Sequence, residues 1–162
     1  MYKAKFPRIS QLIIFTGIMM MPTILVFFGT VPVWYFLQKE NYNLFFPALG
    51  GFIILLGTIF EFFADNQMRR YRRRPNRGYF IDEGLWRYSR HPNYFGEILV
   101  WIGIFIAALV NHQPINFAGF ILITLLFIFI SIPMMERHIL EKKPEYIIYR
   151  KRVWPLMFGP RG

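Results

Sequence analysis

The fourteen residues GLWRYSRHPNYFGE, Gly84–Glu97, bring together Arg87, Arg90, His91, Asn93 and Glu97 with Trp86, Tyr88 and Tyr94, just ahead of the apolar run ILVWIGIF. Arginine suits phosphate, because its planar fork makes two parallel charge-assisted hydrogen bonds. His91 precedes Pro92, so its backbone is expected to be extended, with Pro92 at the first position of a helix, where a missing N–H does no harm. The free N–H groups and dipole of that helix start favour an anion. The stretch reads as a holder for a charged, hydrogen-bonding ligand at the edge of a membrane.

Further polar groups sit at the same depth. Glu61 and Asp65 are four residues apart, as are Asn93 and Glu97, and helical spacing puts each pair on one face. Between them lies RRYRRRPNR, Arg69–Arg77. Its ordinary reading is a topology signal in contact with anionic headgroups; its sharper reading is a phosphate site. Asp65 and Glu61 have an ordinary reading too, as ion-pair partners of Arg69 or Arg72. Glu97 is the better site candidate, because an apolar run follows it and burying an unpaired carboxylate is costly. Glu136, directly after ISIPMM, adds a third carboxylate at the end of an apolar run. A lone histidine before a helix is more often structural than catalytic, and Trp86, Tyr88 and Tyr94 serve equally well as interfacial anchors. The density of the cluster is what favours a site.

There is no cysteine, which excludes disulfides, thiolate metal sites and a Cys nucleophile. His91, His112 and His138 are too far apart for a zinc pair on one helical face, so no metal site is expected.

The elements that must position these groups are apolar helices. Of 162 residues, 55% are hydrophobic and 20% aromatic, more than a soluble domain usually carries. A hydrocarbon core of about 30 Å needs roughly 20 apolar residues. Four stretches are read as spans, 9–37, 44–64, 93–110 and 115–135, with 65–92 a loop and 136–162 a tail. The expectation is an all-α, polytopic helical bundle forming one integral-membrane domain. Pro22 and Pro32 predict that the first span is kinked or ends near Pro32. That span is too long for a signal-peptide core and lacks a small-residue cleavage site, so it reads as a retained helix.

With four spans, eighteen of the nineteen Lys and Arg fall on one side and only Lys39 on the other. The positive-inside rule then places both termini and the middle loop in the cytoplasm. The net charge of +10 is thereby explained without nucleic acid.

The segments EFFADNQMRRYRRRP, GLWRYSRHPNYFGE and ERHILEKKPEYIIYR together resemble the C-terminal domain of steroid 5-alpha-reductase-like membrane enzymes, especially bacterial members of unassigned substrate, over roughly Leu49 to Phe158. The RHPxY element is shared more widely, with isoprenylcysteine carboxyl methyltransferases, phospholipid N-methyltransferases and sterol reductases. The resemblance implies a nucleotide-type cofactor in a cytoplasmic-side pocket and a lipophilic substrate taken from the bilayer, in a bacterial inner membrane. In the reductase branch the cofactor is NADPH. Asn93 and Glu97 then hold its nicotinamide end, and Asp65 with the following arginines its adenosine and phosphate end. Arg69 and Arg72 contact phosphates, Tyr79 and Tyr88 pack on the dinucleotide, and Arg90, His91 and Tyr94 frame the pocket. Glu136, Tyr146 and Tyr149 close it. Glu97 discriminates the branches, because a small residue and Gly more often follow RHPxY in the methyltransferases. S-adenosylmethionine is the alternative cofactor, and a catalytically incomplete cofactor-binding half or scaffold the third reading. Steroid reductases carry their carbonyl-polarising groups on helices N-terminal to this region; here the first span offers no evident acid, its main polar candidates being Thr16, Thr23, Thr30 and Tyr35, so the catalytic residues stay unassigned.

Overall fold

The computed structural model describes residues 20–38, 43–111 and 116–156; the start of the first expected span with Thr16, the basic residues Lys3, Lys5, Arg8, Lys39 and Arg161, and His112 lie outside the described residues. Among the described residues six α-helices follow one another: α1 Met21–Leu37, α2 Phe45–Arg72, α3 Pro92–Ala108, α4 Asn116–Leu126, α5 Ile132–Lys142 and α6 Tyr146–Arg152. Among the described residues there is no strand, only an isolated bridge between Ser89 and Trp154.

Among the described residues two helical segments are long and apolar enough to cross a membrane, Phe45–Arg72 and Gly119–Lys142. Their surfaces fit that role, since Phe52, Phe62, Phe63 and Phe129 all point outward and exposed. The helices α1 and α3 are as apolar but have 17 residues each, which at a rise of 1.5 Å gives about 26 Å. Pro32 does not end α1; the helix runs on to Leu37 with Pro32 buried inside it.

The expected boundary that matters most for the site is shifted. Instead of stopping at Ala64, α2 continues for two more turns to Arg72. No breaker occurs before Pro75, and Arg69, Arg70 and Arg72 sit in the last turn, where cations complement the helix dipole. Asp65, Arg69 and Arg72 are therefore fixed on a helix, where a loop was expected.

The rod from Gly119 to Lys142 joins α4 to α5 through one π turn, Phe127–Ser131, in which the Ile132 N–H bonds the Phe127 carbonyl five residues back. Pro133 follows at the start of α5. A proline there clashes with the carbonyl four residues earlier, and the wider turn lets the chain pass without breaking.

Helices α2 and α3 are locked together by glycine. A Cβ on Gly50 would lie 2.5 Å from the Gly103 oxygen, and one on Gly57 would lie 2.6 Å from the Gly96 oxygen. Each pair is spaced seven residues apart on its own helix, so the backbones touch at two successive levels. Small residues that admit close backbone approach are the main packing device where lipid removes the hydrophobic drive. A second crossing is equally tight: Gly29 of α1 meets Trp101 of α3 and Gly119 of α4. Around it Ile98, Trp101, Ile123 and Phe127 form the core, with Leu25 and Leu156 packed against them.

Candidate functional site

The cavity with the richest chemistry lies where α2, α3 and α5 end on one side of the bundle, capped by the loop 73–91 and by α6. It has a volume of about 720 Å³, within the roughly 300–1,000 Å³ of small-molecule and cofactor pockets. One wall is a single face of α2, Asp65, Met68, Arg69 and Arg72; the facing wall is Met135, His138, Ile139 and Lys142 of α5. Both sets follow the three-and-four spacing of one helical face.

Seven Lys and Arg line the cavity, Arg69, Arg72, Arg73, Arg77, Arg90, Lys142 and Lys143, against one carboxylate, Asp65. Rings of Tyr71, Tyr79, Phe80, Trp86, Tyr94, Tyr146 and Tyr149 fill the space between the charges. This combination can neutralise a polyanion while offering flat apolar faces to its rings.

The loop is held by hydrogen bonds that run back to the helices. Trp86 Nε1 donates to the Ala64 carbonyl (3.0 Å), and Leu85 N donates to Gln67 Oε1 (2.9 Å). The latter bond places Gln67 against Gly84, whose φ of +58° favours glycine. The Tyr149 hydroxyl donates to the Trp86 carbonyl at 2.5 Å and reaches the Ser89 carbonyl at 3.2 Å. The Tyr71 hydroxyl donates to the Gly78 carbonyl, and Lys143 Nζ donates to the Tyr79 carbonyl (2.9 Å). Phe80 stacks on Tyr149 with centroids 5.1 Å apart. Burial pushes the phenols of Tyr149 and Tyr146 well above the usual tyrosine range; neighbouring Tyr146 adds to the rise at Tyr149, as does Glu136 at Tyr146, while Arg90 opposes both.

Beneath the cavity floor lies a buried charge cluster. Glu136 is 2% exposed; its Oε1 is 3.0 Å from both Arg90 Nε and His91 Nε2, and its Oε2 is 3.0 Å from Arg150 Nε. Arg90 also donates to the Arg150 carbonyl at 2.7 Å. The His91 ring stacks on Tyr94, and Tyr94 in turn on Phe127 at the π turn. Pro92 opens α3 as expected from the sequence, while His91 at the N-cap position has φ −138° and ψ 62°, short of the fully extended backbone expected, and its side chain makes no cap hydrogen bond. The two amides before Pro92 are engaged, however: Arg90 N and His91 N donate to the Trp154 and Pro155 carbonyls (2.9 and 3.0 Å).

Of the residues singled out from the sequence, Asp65, Arg69, Arg72, Tyr79, Arg90, His91, Asn93, Tyr94, Tyr146 and Tyr149 line this one cavity. Tyr88, Glu97 and Glu136 do not line it. Tyr88 is about half exposed. Glu97 lies one turn deeper on α3, facing Glu61 and Trp101, and Glu136 lies behind Arg90 and His91. Asn93 Oδ1 is buried and has no hydrogen-bond partner, a vacancy that a ligand donor would fill. Tyr71, Phe80, His138, Lys142 and Lys143 line the cavity without having been singled out. The α5 members were legible as the set 135, 138, 139 and 142, whereas Tyr71 and Phe80 carried no such signal.

The fold and the site together define a class: an all-helical protein with helices of membrane-crossing length that carries a cationic, aromatic-lined cavity at one end of its bundle. By sequence the chain belongs to the family described as "Protein of unknown function (DUF1295)", which matches residues 2–153. It is also similar to steroid 5-alpha-reductases. The human 3-oxo-5-alpha-steroid 4-dehydrogenase 1 is 33% identical over 113 residues, 68% of this chain and 41% of the human protein. The rat protein of the same name is 38% identical over 80 residues, 48% of this chain and 30% of the rat protein. The chain thus spans less than half the length of these relatives. No solved structure matches it.

Proposed function

We propose that this chain is an NADPH-dependent membrane reductase that saturates an activated carbon–carbon double bond in a lipidic or steroid-like substrate. The observation that carries the reading is the cavity's charge pattern, seven cations against one carboxylate, arranged around aromatic faces. A dinucleotide carrying a pyrophosphate and a 2′-phosphate fits that pattern. The similarity to enzymes named 3-oxo-5-alpha-steroid 4-dehydrogenase supports the reaction class.

The bundle is read as four spans with both termini and the cavity on the cytoplasmic side of a bacterial inner membrane. The charge asymmetry of the sequence supports this topology. Residues for the cofactor divide by position. Arg69 and Arg72, two turns out from the apolar part of α2, take phosphate by charge-assisted hydrogen bonds. Asn93 and Tyr94, at the first turn of α3, lie where the cavity meets the membrane core, so the redox-active ring belongs there. When bound, NADPH supplies the hydride. Asn93 Oδ1 accepts a donor from the ligand, while the stack of His91, Tyr94 and Phe127 sets the position of the cavity wall.

Thermal unfolding of the detergent-purified protein with NADPH, NADH, S-adenosylmethionine or S-adenosylhomocysteine tests the reading. A ligand that binds only the folded state stabilises it by about 2.7 kcal/mol at 100 times its dissociation constant. Stabilisation by NADPH above all is expected. Stabilisation by the adenosyl ligands instead assigns the cavity to methyl transfer, and no shift with any of them leaves a scaffold without a cofactor.

A further inference from the structure

The segment after α5 does more than close the cavity. Tyr146 and Tyr149 of α6, with Val153 directly after it, are buried against the site, which leaves the opposite side to Ile147 (39% exposed), Ile148 (55%) and, beyond the helix end, Trp154 (56%). On that same outer side Lys151 and Arg152 are exposed. Arg150 is not one of these outer cations, because it is paired with Glu136.

The depth of this face is fixed by the backbone. Trp154 accepts the amide of Arg90, two residues before α3 begins at Pro92, so the indole sits level with the start of an apolar helix. Leu156, two residues on, packs into the membrane-level core beside Ile98 and Trp101. The exposed strip therefore runs along the edge of the bundle at the height where headgroups meet hydrocarbon. Large apolar side chains and an indole, bordered by two exposed cations, have the composition of a surface that lies in the interface of an anionic leaflet.

We infer that the surface formed by Ile147, Ile148, Lys151 and Arg152 of α6 and by Trp154 just after it is a docking surface for anionic phospholipid in the leaflet on the cavity side. The apolar side chains enter below the headgroups and the two cations sit among the phosphates. This assignment is independent of which cofactor the cavity holds. The same segment supplies the carbonyls that hold Arg90 and His91, so the surface and the site share one stretch of backbone.

The test is quenching of Trp154 by brominated acyl chains in the full-length protein reconstituted into phosphatidylcholine vesicles with and without phosphatidylglycerol, with Trp154→Phe isolating the signal from the other tryptophans. Trp154 quenching that rises with phosphatidylglycerol, falls with added salt, and loses its phosphatidylglycerol increment in Lys151→Gln/Arg152→Gln supports the assignment. With roughly 1 kcal/mol per basic residue at an anionic surface, the double variant loses about 30-fold in lipid-charge preference. Equal quenching in both vesicle types overturns recognition of anionic lipid and leaves an uncharged interfacial anchor. No quenching in either overturns the placement altogether. Both substituted side chains are exposed, so an unchanged melting temperature in detergent confirms that the variants are folded.

Discussion

His91 Nε2 stands 3.0 Å from Glu136 Oε1, joining the start of α3 to a carboxylate 45 residues later on α5. That carboxylate serves Arg90 and Arg150 as well, so one buried anion ties together the loop, α5 and α6. Removing one partner of a buried ion pair leaves an uncompensated charge and costs about 3–5 kcal/mol. Glu136→Gln keeps the size of the side chain and removes only the charge, so a loss in that range is expected in chemical unfolding of the detergent-solubilised protein. A variant as stable as the parent would show that the cluster holds nothing together.

The contact of α2 with α3 makes a sharper forecast, because the helix contains its own control. Gly57→Leu pushes a side chain into the Gly96 carbonyl, whereas a Cβ on Gly51 meets nothing within 4 Å. Gly57→Leu should therefore destabilise by at least the 1–3 kcal/mol typical of overpacking, and Gly51→Leu should leave the melting temperature nearly unchanged. Equal effects would mean that the glycines are not the contact.

These two relationships also show what the sequence could and could not disclose. Apolar run length marked the helices, and the Pro92 start of α3 followed from proline chemistry alone. Ten cavity residues were legible because residue type announced them: arginine for phosphate, tyrosine for stacking. Glu97 has the same type signal, yet it faces Glu61 and Trp101 one turn below the cavity. Spacing puts it on a shared face with Asn93 but does not say how far the cavity extends along that face. Glu136 was singled out at the right level, while its three partners depend on how the loop and α6 fold back over α5. The glycine pairs escaped because a small residue has no chemical signature until its neighbour across the interface is known.

Alkaline pH should loosen the cap. Burial raises the Tyr149 and Tyr146 phenols in the folded protein above their unfolded value near 10. Below pH about 10 both states are protonated and the stability is intact. Above it the unfolded chain releases protons that the folded one retains, so stability falls as pH rises toward the folded values. Tyr149→Phe removes one of these titrations. It should unfold more easily at neutral pH, by about 1–3 kcal/mol for the acceptors left without a donor, yet lose less on going from pH about 9 to about 11. A parent and variant with parallel pH profiles would exclude Tyr149 as a source of the alkaline loss.

Arg72 tests the phosphate end of the cavity. If it takes the 2′-phosphate, Arg72→Ala should weaken NADPH binding by about 1.5–3 kcal/mol, the worth of hydrogen bonds to a charged group, and leave NADH binding nearly unchanged. Titration calorimetry with both nucleotides separates this from general loss of positive charge, which would weaken the two alike.

Asn93 tests the other end, and here stability and binding should move in opposite directions. Its Oδ1 is buried without a donor, a condition that costs about 1–3 kcal/mol and that calls for a specific role in a native fold, here acceptance of a ligand donor. Asn93→Leu keeps the branched heavy-atom shape, though it is bulkier, and removes the unsatisfied acceptor. The ligand-free protein should therefore melt at the same temperature or higher, while the stabilisation conferred by NADPH should fall sharply. Loss of both together would mean that Asn93 is a structural residue whose partner is supplied by the fold. Retention of the full NADPH shift would move the nicotinamide away from the first turn of α3.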